Sequence, residues 1–433
     1  MNFLQAFQSS FDTYLTSFVP SNEGETAITF YDFVRNELRK KNIQIFTNQG
    51  KGTTLCRYKG DKSKMDWASE LVRFSRSVVF DYETHQTLMV SPPKSYLLEE
   101  FKVKHPTFEG VLVEGFPSGP MVNLFHHPSK GWMISTRSYV GADNNFRSGE
   151  KSFHKLFNEA LLKTTNLELE KLVDEFNKSL TYSFVLTHPD YFDVTRYANP
   201  SIVLVEVRNR GENHSLVNLS DIKSDFKGRE WTINFPEQYT FATWDAVDEF
   251  IKTQPCQEQG LVFRFGEERA KVRNQEFLKA RVLLGNHSKL IDIFAENLQN
   301  KTTNEFLEIF PEKMTEFEHY LEIYGLLIHQ THSYYIAHHT RPAGEKIEFS
   351  EIPRPIQTAI WNIHKQYLES GATRETRRQV KPLVVENYYK NLTAVELANV
   401  LSYWDIYLKN NPLQETTKAQ TQQKVRRYVP RRV

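Results

Sequence analysis

Cysteine, net charge and long apolar runs are all scarce in this sequence, and each scarcity rules something out. Only Cys56 and Cys256 occur among 433 residues, in no CxxC or zinc-type spacing. A disulfide framework is therefore excluded, and a reducing, cytoplasmic setting is expected. The formal net charge is +1, so gross electrostatics does not announce a binder of polyanions. No uninterrupted apolar stretch approaches the roughly 18–20 residues of a membrane span, which predicts a protein without membrane partners. The opening MNFLQAFQSSFDTYLTSF has no basic flank leading into an apolar run, and it reads as an amphipathic helix rather than a secretory signal. Missing too are a P-loop, GxGxxG, HExxH and GxSxG, the phosphate-cradle, dinucleotide, metalloprotease and hydrolase patterns.

Aromatic residues are abundant: 31 Phe, 20 Tyr and 6 Trp in a chain long enough for two or three domains. Residues 1–285 read as mixed α/β. Short β-type runs recur at 43–46, 77–80, 110–113, 121–125, 132–135, 182–186, 202–207 and 260–265, separated by turn clusters such as SPPKS and HHPSKG. Helical spacing is expected over 153–177 and 244–252. Residues 286–412 carry helical periodicity throughout and predict an all-helical domain, whose last helix opens on the capping-box pattern Thr393-Ala-Val-Glu396. Residues 413–433 form a basic tail, expected to be disordered: its last sixteen residues, KAQTQQKVRRYVPRRV, hold six basic residues and no acidic one, a composition that attracts phosphate backbones. His329 and His332 lie one helical turn apart without a third ligand, so no metal site is expected. The adjacent pairs His126-His127 and His338-His339 point apart on helix or strand and read as surface polar pairs.

The most informative segment spans residues 74–146, FSRSVVFDYETHQTLMVSPPKSYLLEEF followed by FEGVLVEGFPSGPMVNLFHHPSKGWMISTRSYVGADNNF. Further along come YSFVLTHPDYF at 182–192, EQGLVFRF at 258–265 and KVRNQEFLKA at 271–280. In order and spacing these resemble the motifs of the ATP-dependent RNA-ligase nucleotidyltransferase domain of the phage tRNA-repair type. In character they are closer still to the RNA-ligase-like proteins of large cytoplasmic DNA viruses. The resemblance implies an α+β fold: a nucleotidyltransferase domain of antiparallel sheets with flanking helices, followed by an all-helical domain.

In that family a lysine amine attacks the α-phosphate of ATP, assisted by Mg²⁺. Aligning Gly119 with the family's motif glycine places Phe116 at the lysine and Ser118 at the aspartate. The glutamates of the third and fourth motifs fall at Val185 and Gln259, with Glu258 one position away. Phenylalanine has no lone pair, so the phosphoramide cannot form there. The cationic positions survive: Arg76, Arg137, Lys271 and Arg273 are the expected nucleotide- or RNA-phosphate ligands. Lys271 and Arg273 alternate, so on a strand they share a face. Lys102 and Lys104 are the candidate substitutes for the missing nucleophile. In the helical domain Arg374, Arg377, Arg378 and Lys381 are candidates for tracking an RNA backbone.

These positions predict a ligase-like protein with degenerate adenylylation motifs that binds structured, tRNA-like RNA. The alternatives are an active ATP- and Mg²⁺-dependent RNA ligase using a displaced lysine, and a structural or assembly protein with a viral protein partner, in a virus factory or virion.

Overall fold

The structure, a computed structural model, describes residues 38–59, 62–145, 150–210, 214–287, 289–370 and 379–412. The amphipathic N-terminal helix, Arg374, Arg377, Arg378 and the basic tail lie outside the described residues. The chain divides into two units, Met1–Lys279 and Ala280–Val433.

The first sheet is an antiparallel meander of β1 (Ile43–Asn48), β2 (Thr53–Tyr58), β3 (Val78–Asp81) and β4 (Thr87–Val90). Successive strand residues point to opposite faces, and here both faces are buried over the inner strands. Cys56, Val78, Phe80 and Val90 pack with Leu71, Val72 and Phe74 of the short helix α1 (Glu70–Phe74), whereas Leu55, Val79 and Met89 meet Phe125. Two-sided burial removes the polar alternation that marks a strand, so β3 reads only from its apolar run Val78–Phe80, whereas β2, with Thr53, Thr54 and Arg57 in it, escapes.

Next along the chain come α2 (Leu98–Lys104), β5 (Leu112–Gly115), β6 (Met121–His127), β7 (Gly131–Thr136), α3 (Phe153–Thr165), α4 (Leu169–Leu172), β8 (Leu180–Thr187), β9 (Ser201–Asn209) and β10 (Leu216–Val217). They are followed by α5 (Leu219–Phe226), β11 (Gln238–Tyr239), α6 (Trp244–Thr253), β12 (Gly260–Phe265) and β13 (Glu268–Arg273). The strands build two more antiparallel sheets, ordered β10-β9-β8-β6-β7 and β11-β5-β12-β13. Helix α3 lays Leu156, Phe157, Ala160 and Leu161 on the first of these, against Phe184 and Leu204. On the other, α6 contributes Val247 and Ile251 to a core with Val113, Leu261 and Phe263.

The helix expected over 153–177 stops at Thr165. Thr164 and Thr165 turn their hydroxyls back onto the carbonyls of Ala160 and Leu161, and Asn166 takes the left-handed conformation (φ 57°) that asparagine tolerates. The strand expected at 110–113 begins later, at Leu112, because residues 109–110 form a turn.

Helix α7 (Gln275–Leu284) contains the boundary between the units. The second unit holds α8 (Leu290–Asn300), α9 (Thr303–Ile309), α10 (Met314–His339), α11 (Arg354–Glu369), α12 (Pro382–Lys390) and α13 (Ala394–Asn410). Phe294, Phe306 and Phe317 form its aromatic centre, with the Phe306 and Phe317 rings stacked at 4.6 Å. At the start of α13 the Glu396 carboxylate accepts from the Thr393 N–H at 2.8 Å, and the Thr393 hydroxyl accepts from the Glu396 N–H at 3.3 Å, so both members of the capping box are made. Among the described residues no helix is long and apolar enough to cross a membrane.

The histidine pairs are not surface features. His127 is buried, bonded to the Gly52 carbonyl at 3.1 Å and 3.3 Å from Asp81, while His126 is half-buried against Trp132. His338 bonds the Ile347 carbonyl at 2.8 Å, and His339 stacks on His364 at 3.7 Å. Each imidazole has found a carbonyl or ring partner, and that lets it leave water. His332 likewise bonds the Val380 carbonyl at 2.9 Å.

Candidate phosphate-binding cleft

The cleft is set by two backbone contacts that only glycine allows. At Gly119 (φ 157°) a Cβ would lie 2.1 Å from the Leu186 carbonyl oxygen, so the segment entering β6 presses directly on β8. At Gly260 (φ 133°) a Cβ would lie 2.1 Å from the Val272 carbonyl oxygen, which brings β12 tight against β13. The Phe116 N–H donates to the Gly260 carbonyl at 2.9 Å and ties the exit of β5 to the start of β12. Phe116 is thereby held beside β13.

Residues 269, 271 and 273 alternate along β13 and so share one face. All three are cations and all three meet the same ring. Lys271 Nζ lies 5.4 Å from the Phe116 centroid, with the guanidinium carbons of Arg273 at 5.8 Å and Arg269 at 6.0 Å. Arg76, from the turn after α1, feels the fields of Arg137 and Arg273. Burial lowers its proton affinity and those neighbours lower it further, against an opposing effect of Tyr58 and Glu206. Burial and then Arg264 bring Arg269 down to about 9. Lys271 falls to about 6 through burial, then Arg273, Arg269, Arg76 and Lys94. Like charges this close in a partly dry cleft disfavour one another, and an anion would relieve them all.

Of the positions singled out by the resemblance, Arg76, Lys271 and Arg273 lie near Phe116. Arg137 sits at the rim: its Nη2 donates to the Tyr58 carbonyl at 3.0 Å and its guanidinium lies 4.6 Å from the Tyr58 ring centre. Lys102 and Lys104 are engaged elsewhere. Lys102 Nζ lies 3.6 Å from both Glu99 and Asp248, and Lys104 Nζ is 2.7 Å from Glu268. Lys381 is exposed at the start of α12, in the second unit.

Where the family carries carboxylates, this chain offers other groups. Ser118 is buried, its hydroxyl 3.4 Å from Asp193 and its N–H donating to the Tyr197 hydroxyl at 3.2 Å. Val185 is buried against Gly119. Gln259 is buried, and Glu258 is exposed.

Sequence reasoning missed a buried ion network next to the cleft. Arg264 donates to Glu114 at 2.9 Å, to Glu206 at 2.8 Å and to the Val205 carbonyl at 2.8 Å. Arg208 donates to Glu206 at 2.7 Å and pairs with Glu267 at 2.9 Å. Burial alone would raise the Glu206 carboxyl; Arg208 and Arg264 outweigh it and hold it down at about 2. The carboxylates of Glu114 and Glu206 are thus taken by Arg264 and Arg208. A second missed cluster, Glu159, His188 and Asp190, brings potential metal-binding atoms within 4.8 Å of one another. Lys151 Nζ already lies 2.6 Å from Glu159 and 2.9 Å from Asp190, and it supplies their positive charge.

No protein-family model matches the chain, and no curated protein matches it. Among solved structures it is similar to a Naegleria gruberi RNA ligase with PPi, at 10% identity and TM-score 0.32, over 40% of this chain and 51% of that one. A variant of that ligase with ATP and Mn gives 10% identity and TM-score 0.34, over 44% and 58%. An archaeal ATP-dependent RNA ligase gives 12% identity and TM-score 0.40, over 66% and 70%. The chain spans about half the length of the Naegleria ligase with PPi.

Proposed function

We propose that this chain is an RNA-ligase-like protein that grips the phosphates of a structured, tRNA-like RNA in the Phe116 cleft without forming a lysyl–nucleotide bond. The observation that carries this reading is the ring of Arg269, Lys271 and Arg273 at 5.4–6.0 Å around an aromatic residue. Guanidinium forks and an ammonium point charge suit phosphate oxygens, and a phenyl ring cannot attack phosphorus.

The residues present do not fit a catalytic divalent cation. Hard cations need carboxylate or carbonyl oxygens, and the positions that the resemblance assigns to carboxylates hold Ser118, Val185 and Gln259. Lys271 does not substitute for the nucleophile either. Burial and then the neighbouring cations lower its proton affinity, and an entering phosphate favours the charged form, so the amine takes up a proton on binding and holds its ligand as ammonium. Lys102 and Lys104 are neutralised by Glu99, Asp248 and Glu268.

Two measurements on the full chain test this. Incubation with α-labelled ATP and Mg²⁺ should leave no label on the chain after denaturation; a labelled band would restore the ligase reading. Folded RNA should bind in a salt-sensitive manner, and Arg76→Ala with Lys271→Ala should weaken it by about tenfold or more, since each removes a charged hydrogen-bond donor. Unchanged affinity in that double variant would refute the site.

A further inference from the structure

Beyond the Phe116 cleft, cations and aromatic rings alternate across the first sheet. Arg57 on β2 lies across the ladder from Gln44, and its guanidinium sits 4.8 Å from the centre of the Phe46 ring. Arg137 follows at the end of β7. The Nε atoms of both Arg57 and Arg137 are buried without a hydrogen-bond partner, and neither side chain pairs with a carboxylate among the described residues. Such groups are costly to bury unless something completes their bonding.

Backbone contacts link these groups in sequence: Arg137 Nη2 donates to the carbonyl of Tyr58, the neighbour of Arg57, at 3.0 Å, and the Tyr58 N–H donates to the carbonyl of Ser75, the neighbour of Arg76, at 2.7 Å. Arg57 and Arg76 are both lowered by burial and by Arg137. A continuous positive path therefore leads from Arg57 through Arg137 and Arg76 into the cleft. Beside it two large aromatics remain in solvent, Phe46 at 39% and Tyr139 at 57% exposure.

Phosphates on guanidinium groups and bases on exposed rings are the chemistry of single-strand binding, and a duplex hides the base faces that such rings need. We propose that Phe46, Arg57, Arg137 and Tyr139 form a track for a single-stranded polynucleotide, which delivers one of its phosphates to the Phe116 cleft. This rests on the cleft reading above and adds to it the path, and that the part of the structured RNA which enters the cleft is an unpaired stretch or end.

The experiment uses the full chain and fluorescence anisotropy with a labelled single-stranded RNA, the DNA of the same sequence, and the blunt RNA duplex. Single-stranded RNA is expected to bind at least about tenfold tighter than the duplex. DNA bound equally well would support a track that reads backbone and base faces, and DNA bound more weakly would support one that also reads the 2′-hydroxyl. Tyr139→Ala should weaken single-strand binding about tenfold and leave duplex binding unchanged. Arg57→Gln should reduce the slope of log affinity against log salt by about 0.7, the share of one phosphate on a single strand. Tyr139 is exposed, so its replacement leaves the core intact.

Competition with inorganic tripolyphosphate, compared between the parent and Lys271→Ala so that the share held by the cleft is isolated, separates the two readings. Tripolyphosphate competing normally while Tyr139→Ala and Arg57→Gln bind single strands like the parent would overturn the track and spare the cleft. A duplex bound as tightly as the single strand would overturn it as well.

Discussion

Raising the pH from about 6 to about 8 should loosen the hold of the cleft on RNA, and the size of the effect follows from Lys271. In the free protein burial, Arg273, Arg269, Arg76 and Lys94 bring this amine to about 6, so at about pH 8 roughly one molecule in a hundred carries the ammonium. A bound phosphodiester favours the charged form and returns the group toward its ordinary value. Binding then takes up a proton, and linkage makes the affinity fall about tenfold per pH unit above about 6. Over two units the loss approaches a hundredfold. An RNA with free hydroxyl ends is the right ligand, because its diester phosphates keep one charge throughout. Anisotropy titrations at constant ionic strength read the profile. Lys271→Arg keeps the charge at every pH in the range, so it should flatten the profile and bind more tightly than the parent at about pH 8. Lys271→Ala should be flat and weak. A parent profile that is flat between about pH 6 and about pH 8, or a slope that survives in Lys271→Ala, would refute the assignment of the proton to this amine.

Two stability predictions test the frame that holds the cleft. Gly119→Ala should destabilise the protein by about 3 kcal/mol in urea unfolding, since its Cβ would sit 2.1 Å from the Leu186 carbonyl oxygen and must push β6 from β8; a loss under about 0.5 kcal/mol would mean the contact is not rigid. Arg264→Met should cost about 3–5 kcal/mol in the same assay, because Glu114 and Glu206 would be left buried without their shared partner. Wild-type stability in that variant would show that the carboxylates take up protons or water at little cost.

The fold was legible where an element's signal is local, even in strands that are buried nearly throughout. Strands β6 and β8 and the capping box at Thr393 follow from local pattern, because their signal lies within a few residues. Helix α3 shows the opposite: its apolar spacing continues beyond residue 165, and the two threonines and Asn166 that end it carry a local preference the period does not express. The cations facing Phe116 were legible only through a resemblance spanning residues 74–280, because Arg76 stands in the turn after α1 and Arg273 on β13 of a different sheet. Arg269 belongs to the same alternation as Lys271 and Arg273 and could have been read from it. The Arg264 network could not. Nothing local says that Arg264 on a strand of Leu, Val and Phe meets a carboxylate 150 positions earlier.

The phenylalanine itself makes physical sense in this setting. Arg269, Lys271 and Arg273 crowd one face of a strand next to Arg76, and burial together with that crowding depresses the proton affinity of Lys271. A further ammonium at position 116 would add to the repulsion whenever the cleft is empty. An aromatic ring does the reverse: its negative face attracts each cation by about 0.5–1 kcal/mol, more where water is excluded. With the carboxylates at Glu114 and Glu206 already committed to Arg264 and Arg208, the ring is a favourable neighbour for the cations around it. On the proposed reading, a cleft arranged this way would release a phosphate and remain folded, as reversible holding of RNA requires. A covalent cycle instead needs a nucleophile at the centre and carboxylates at its edge.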